Sequence, residues 1–378
     1  MTNRGFQVAK MASLLLFTVS AWAASSVKIV DCDSGDKLAD ALAKAEPGAT
    51  LRIQGTCTER VTIATDRITL QGDGTAVLDG GVVPGGSFSG VVRIEARGVV
   101  LNGLTIQNGP NGVIGQSGAT FAVRNSKIND NRGTGIAVGD GSTAEVSDCT
   151  IRNNTLGMDA YNRSVVVFKG DVVLTQNKGT GIESNGGSSL EVRGGNLQAS
   201  ENGGSGILVS GSQLNLFGFA ESLGSSIVVN GNGGGGLIIA EGQVLVVGTA
   251  FPPGSFQITA SNNKMSGIWL AFKASVAAPF GTLKLVVEKN DVGLNFGAAS
   301  GAVIVGGLNV RNNGVGLAAE DGATLTLVSI PPNPSVIRDN KTTDVDLRFG
   351  TRSTIAGVDI GTMKCDGTVL SRGSTVCP

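Results

Sequence analysis

The chain contains no histidine, and its 378 residues include one tyrosine, two tryptophans and five cysteines. Without imidazole a Ser-His-Asp relay is excluded, and the usual nitrogen ligand of zinc is missing. Neither HExxH nor GxSxG occurs. Charge of one sign is also lacking: 29 basic residues against 30 acidic ones leave a formal net charge of -1. No global field therefore draws the protein to nucleic acid or to an anionic membrane. Long apolar runs are scarce as well. The run from Met11 to Trp22 follows Arg4 and Lys10 and ends in Ala21-Trp22-Ala23, which reads as a signal peptide over residues 1–23, too short to span a bilayer. Residues 24–378 are then the mature chain, secreted or periplasmic and not an integral membrane protein.

What is abundant is glycine, 58 residues in all, with Val, Ile, Leu, Asn and Ser around it. This composition favours many short strands and tight turns over packed helices. From about residue 100 a segment recurs: two inward apolar positions, an Asn three residues after the second, a Gly three or four residues later, then another apolar residue. CTIRNNTLGM (149–158), VVLTQNKGTGI (172–182) and LNVRNNGVGL (308–317) are instances. The Asn register runs Asn131, Asn154, Asn177, Asn202, Asn232, Asn263, Asn290, Asn313 and Asn340. Spacings of 23 to 31 residues are those of a solenoid coil with insertions. Each coil holds three alternating runs, such as SVVVF, VVLTQN and GIESN. Three strands and three turns per coil imply inward stacks one coil apart, for example Ile128, Ile151, Leu174 and Ala199.

With its stacked asparagines at the bend between second and third strands, the sequence resembles the pectin lyase-like superfamily of right-handed β-helices, over roughly residues 30–360. The expected fold is all-β: a right-handed single-stranded parallel β-helix with PbH1 repeats and a short N-terminal capping helix. It forms one domain, with an N-cap at 24–60, coils at 61–350 and a C-terminal cap at 351–378. The Asn row is assigned a structural role, each amide satisfying backbone groups at a buried bend. The glycines after it are expected to supply positive φ. GDKLADALAKAEPG (35–48) places Leu38, Ala41, Leu42 and Ala45 on one helical face, suited to covering the first coil. Cysteine positions suggest one disulfide at each end, Cys32–Cys57 and Cys365–Cys377, with Cys149 a buried thiol in the core.

Enzymes of the superfamily work on the outer face of the first strand. There the sequence stacks Glu145, Glu191, Lys169 and Arg193, with Asp148 and Asp171 near the following turn. Asp148, Lys169, Asp171, Glu191 and Arg193 are thus the catalytic candidates for a histidine-independent lyase or hydrolase acting on an acidic polysaccharide. Ca²⁺ is the one ion its carboxylates would call on, and no other cofactor is indicated. The competing interpretation is a solvated wall of cross-coil ion pairs. A second acid pair, Asp159 and Glu183, lies on the third strand beside Tyr161 and Arg163, suited to glycosidic chemistry or to surface polarity alone.

All excess length falls in the turn between first and second strands, at 217–224, 248–256, 277–282 and 329–334. These insertions carry Phe217, Phe219, Phe251, Phe256 and Phe280; Trp269 points outward nearby. Loops on a rigid scaffold commonly bind, so this edge is the expected site for a polysaccharide, surface glycan or protein partner. A satellite core of the same phenylalanines is the alternative. Three functions stay open: glycan or partner recognition, polysaccharide cleavage, and a structural envelope role.

Overall fold

The computed structural model describes residues 27–81, 89–217, 225–247, 256–278, 283–331, 334–373 and 377. The expected signal segment lies outside them. Alternating runs become short parallel strands, each hydrogen-bonded to the runs one coil before and after it. The first sheet extends from Val27–Asp31 to Leu370–Gly373, the second from Thr56–Thr58 to Asp359–Ile360. The third has 13 strands, from Val61–Ile63 to Met363–Cys365. In Thr143–Arg152 and Val165–Thr175 the first strand runs on into the second without a break, joining those two sheets.

The core follows from the alternation. Ile128, Ile151, Leu174 and Ala199 are in register on successive coils, as are Ala260, Val287, Val310 and Ile337. All are buried, and each large aliphatic side chain so enclosed contributes roughly 1.5–3 kcal/mol. Cys149 belongs to this core as a free thiol. Burial pushes it up to about 11, so it is inert as a nucleophile.

The asparagine row forms a continuous buried ladder. Asn154 donates its amide to Asn177 Oδ1 at 3.2 Å and to the Ile128 carbonyl at 3.1 Å. Its backbone N–H donates to the same oxygen at 3.0 Å. The pattern continues to Asn313 and Asn340. The neighbouring glycines do a different job from the one expected of them. Gly135, Gly157, Gly181, Gly206, Gly236, Gly267, Gly293 and Gly316 do not have positive φ. At Gly135 an added Cβ would stand 2.6 Å from the Gly157 carbonyl oxygen and 2.9 Å from the Asn154 amide. These residues are glycine because successive coils approach too closely for a side chain. Positive φ falls instead on the residue just before each ladder asparagine, from Asp130 and Asn153 to Asn312 and Asp339, most often Asn or Asp, which tolerate it.

The helix near the N-terminus spans Leu38–Ala43, shorter than the 35–48 segment, with Leu38, Ala41 and Leu42 buried. Its capping oxygens come from a distance: Glu59 accepts the N–H groups of Leu38 at 2.7 Å and Ala39 at 3.1 Å. The two terminal disulfides form as expected, Cys32–Cys57 and Cys365–Cys377.

Candidate functional site

On the outer face of the first sheet, Ala122, Glu145, Val167, Glu191 and Asn215 stack in register, as the sequence indicates. Glu145 bridges two cations, Arg124 at 2.7 Å and Lys169 at 2.6 Å. Burial opposes its ionisation, yet the Lys169 and Arg124 contacts prevail and hold the carboxyl below its ordinary value. Glu191 pairs with Arg193 at 2.6 Å, and the Arg193 guanidinium lies over the Phe217 ring, 4.7 Å from its centroid. Asp148 accepts the Asp171 N–H at 3.1 Å, and Asp171 accepts the Asn196 amide at 2.8 Å. The five candidates fall into three groups along the wall: Lys169 with Glu145, Glu191 with Arg193, and Asp148 with Asp171.

The loop edge divides differently. Phe219, Phe251 and Phe280 lie outside the described residues. Phe217 serves as the platform under Arg193. Phe256 is a correction: it is 1% exposed, inside the tube. It opens the strand Phe256–Ser261, where Phe256, Ile258 and Ala260 alternate inward, and it is in register with Ser225 and Leu283. Trp269 does point outward, on the third sheet between Ile238 and Asn295.

The third sheet carries the shaped recess. Its outward column runs Ile114, Ala137, Asp159, Glu183, Leu208, Ile238 and Trp269, one residue per coil. A cleft of about 340 Å³ opens here, lined among others by Asn111, Gln116, Asp159, Tyr161, Asn162 and Asn185. Gly139 makes room for it, since a Cβ there would collide with the Tyr161 ring. The ring lies across that bare position, and the Tyr161 hydroxyl accepts the Gln116 amide at 2.9 Å. Asp159 is the perturbed group of the site: burial first, and then the neighbouring Glu183, raise its carboxyl to about 6. At the rim, Asn162 and Arg163 both hold positive φ, 53° and 61°, and Asn162 donates to Asp140 at 3.0 Å.

Sequence reading had singled out Asp159, Glu183, Tyr161 and Arg163 but missed Gln116, Gly139 and Asn185. The signal was available in the repeat: all three share one outward column with Tyr161, a coil apart. Among the described residues, the one grouping of three potential metal ligands is Cys32, Cys57 and Glu59. Its sulfurs are joined in the disulfide and its carboxylate is held by the helix, so it does not suit Ca²⁺.

Residues 59–217 match the family model described as a right handed beta helix region. The chain folds as a right-handed parallel β-helix. No curated protein matches its sequence. Among solved structures, the β-helix is similar to the A-module of a mannuronan C-5 epimerase from Azotobacter vinelandii. Identity there is 15% and the TM-score 0.50, over 88% of this chain and 93% of that one. The catalytic unit of an alpha-1,3-glucanase from Streptomyces thermodiastaticus is 14% identical, with TM-score 0.42, over 94% of this chain and 70% of that one. A pectate lyase is 14% identical, with TM-score 0.38, over 90% and 79%. At such identities the likeness is one of fold.

Proposed function

We propose that this β-helix binds a glycan on the outer face of its third sheet, in the cleft built around Asp159, Tyr161 and Gln116, with Glu183 beside it on the next coil. The observation that carries the reading is the partly buried Asp159, with Glu183 beside it on the next coil, in a recess whose aromatic wall exists because Gly139 leaves room for it. Carboxylates and amides accept and donate to sugar hydroxyls, and an aromatic ring meets the apolar face of a pyranose. The mannuronan C-5 epimerase named above acts on a polysaccharide, which agrees with this reading.

A second reading is favoured by the same pair. Asp159 and Glu183 stand side by side on one face of the sheet, one coil apart, with their strands about 4.8 Å apart along the axis, close to the roughly 5 Å between the carboxyl groups of retaining glycosidases. Asp159, the group that holds its proton longer, would protonate the leaving oxygen while Glu183 attacks the anomeric carbon. Asp159, now ionised, then takes a proton from water as that water attacks the anomeric carbon and displaces Glu183 as its carboxylate.

Retention on immobilised polysaccharides, neutral and uronate, tests the first reading. Wild type should be retarded by at least one polymer, and Asp159→Asn or Glu183→Gln should lose that retardation. Equal migration of all three proteins on every gel refutes it. Release of reducing ends from the retained polymer separates cleavage from binding alone.

The two disulfides, and the lack among the described residues of a helix long and apolar enough to cross a membrane, agree with an exported protein in the periplasm or outside the cell. Leu38–Ala43 would close the N-terminal end of the tube, shielding strand edges from pairing.

A further inference from the structure

We infer that the glycan is a linear, uncharged chain lying parallel to the helix axis, one sugar per coil, from the acid pair to a distal platform at Trp269 and Phe272. The inference rests on the glycan-binding reading and adds the ligand's class, direction and length. Beyond Asp159 and Glu183 the outward column continues without a break through Leu208 and Ile238 to Trp269, four coils from Asp159. Four rises of about 4.8 Å give a straight track of about 19 Å. Its chemistry changes along the way, from hydrogen-bond acceptors that suit hydroxyls to aliphatic and aromatic groups that suit the C–H faces of sugars. A column with two carboxylates repels a chain of uronates but accepts a neutral one.

Phe272 is the independent observation. It sits in the turn that follows Trp269 on the same coil, with φ 53° and its side chain exposed (56% for the residue). Asp140, Asn162, Gly186, Glu241, Ala298, Asp321 and Phe349 fill the corresponding turn position in other coils, all with positive φ. Folding alone favours small or turn-forming residues there, and an exposed phenylalanine replaces them at Phe272 and at Phe349; Phe272 adjoins the outward Trp269 and there widens the aromatic platform.

The test is calorimetric titration with cello- and manno-oligosaccharides from the disaccharide upward, and with oligomannuronates of matched length. For at least one neutral series, affinity should rise more than tenfold between the trisaccharide and the hexasaccharide and then level off. Trp269→Ala and Phe272→Ala should abolish that rise while leaving trisaccharide affinity and the melting temperature close to wild type. Affinity independent of length, a rise unaffected by both variants, or binding of uronates alone overturns the track. In those cases sensitivity of trisaccharide binding to Asp159→Asn still upholds the cleft. If no series binds, both readings fall.

Discussion

Asn340 gives its backbone N–H and its side-chain amide to one oxygen of Asp344, at 3.0 and 2.8 Å. The other oxygen of Asp344 accepts the N–H of Thr362 at 2.7 Å and its hydroxyl at 3.0 Å. Each earlier ladder asparagine gives its amide to the asparagine of the next coil; after Asn340 the sequence has none, and Asp344, from the third strand of the same coil, takes that place as a residue that only accepts. Burial opposes the Asp344 charge, but the hydrogen bonds from Asn340 and Thr362 prevail and hold its carboxyl below the ordinary value.

A depressed folded pKa gives stability that is present above the unfolded value of about 3.9 and is lost as pH falls through the folded one. Asp344→Ala should cost about 1–3 kcal/mol at neutral pH. Asp344→Asn should keep the Asn340 contact but remove this part of the acid sensitivity. Urea unfolding at neutral pH and near pH 3 distinguishes them; an acid profile unchanged in Asp344→Asn would show that Asp344 does not end the ladder as a charge.

Gly206→Ala probes the close approach of coils. Its Cβ would lie 2.7 Å from the Gly236 and Ala199 carbonyl oxygens and 2.8 Å from the Asn232 amide. A loss of about 1–3 kcal/mol is expected from this overpacking, with the ladder displaced locally. A neutral or stabilising result in thermal unfolding would mean that the glycine column is not steric.

Asp159 offers the opposite pH dependence. Its carboxyl, raised to about 6 by burial and by Glu183, favours the protonated form when folded. It therefore weakens the fold as pH rises from the unfolded value of about 3.9 through 6. Asp159→Asn should stabilise the protein at neutral pH by about 1 kcal/mol, allowing for partial solvent screening, and by nothing near pH 4. The same variant should lose glycan retention, so stability and binding move in opposite directions. Melting curves at the two pH values check the first half of this expectation.

Phe272→Asn should raise stability by about 0.5–1 kcal/mol, since asparagine adopts positive φ more readily than phenylalanine. Long oligosaccharides should bind the variant more weakly. A lower melting temperature would instead assign the ring to packing.

The inward half of this protein is legible in its sequence. Period-two alternation and the asparagine spacing specify which residues face the core, because burial penalises every slip of register. Ile151 and Leu174 are where the repeat puts them. Phe256 was misread because the alternation of its short strand begins at the edge of an insertion, where loop and strand cannot be told apart by composition.

The outward half is less constrained. A sequence shows that Gln116, Gly139 and Tyr161 occupy one column, but not that the tyrosine ring folds over the glycine to reach the glutamine. Nor does it show that Lys169 is engaged by Glu145. The sequence by itself determined the coil, its ladder and its disulfides, since these follow from periodic burial and from cysteine position. Only the tertiary structure decided which outward face carries a cleft. A cleft depends on how side chains from coils more than twenty residues apart lean against one another, and no local pattern records that.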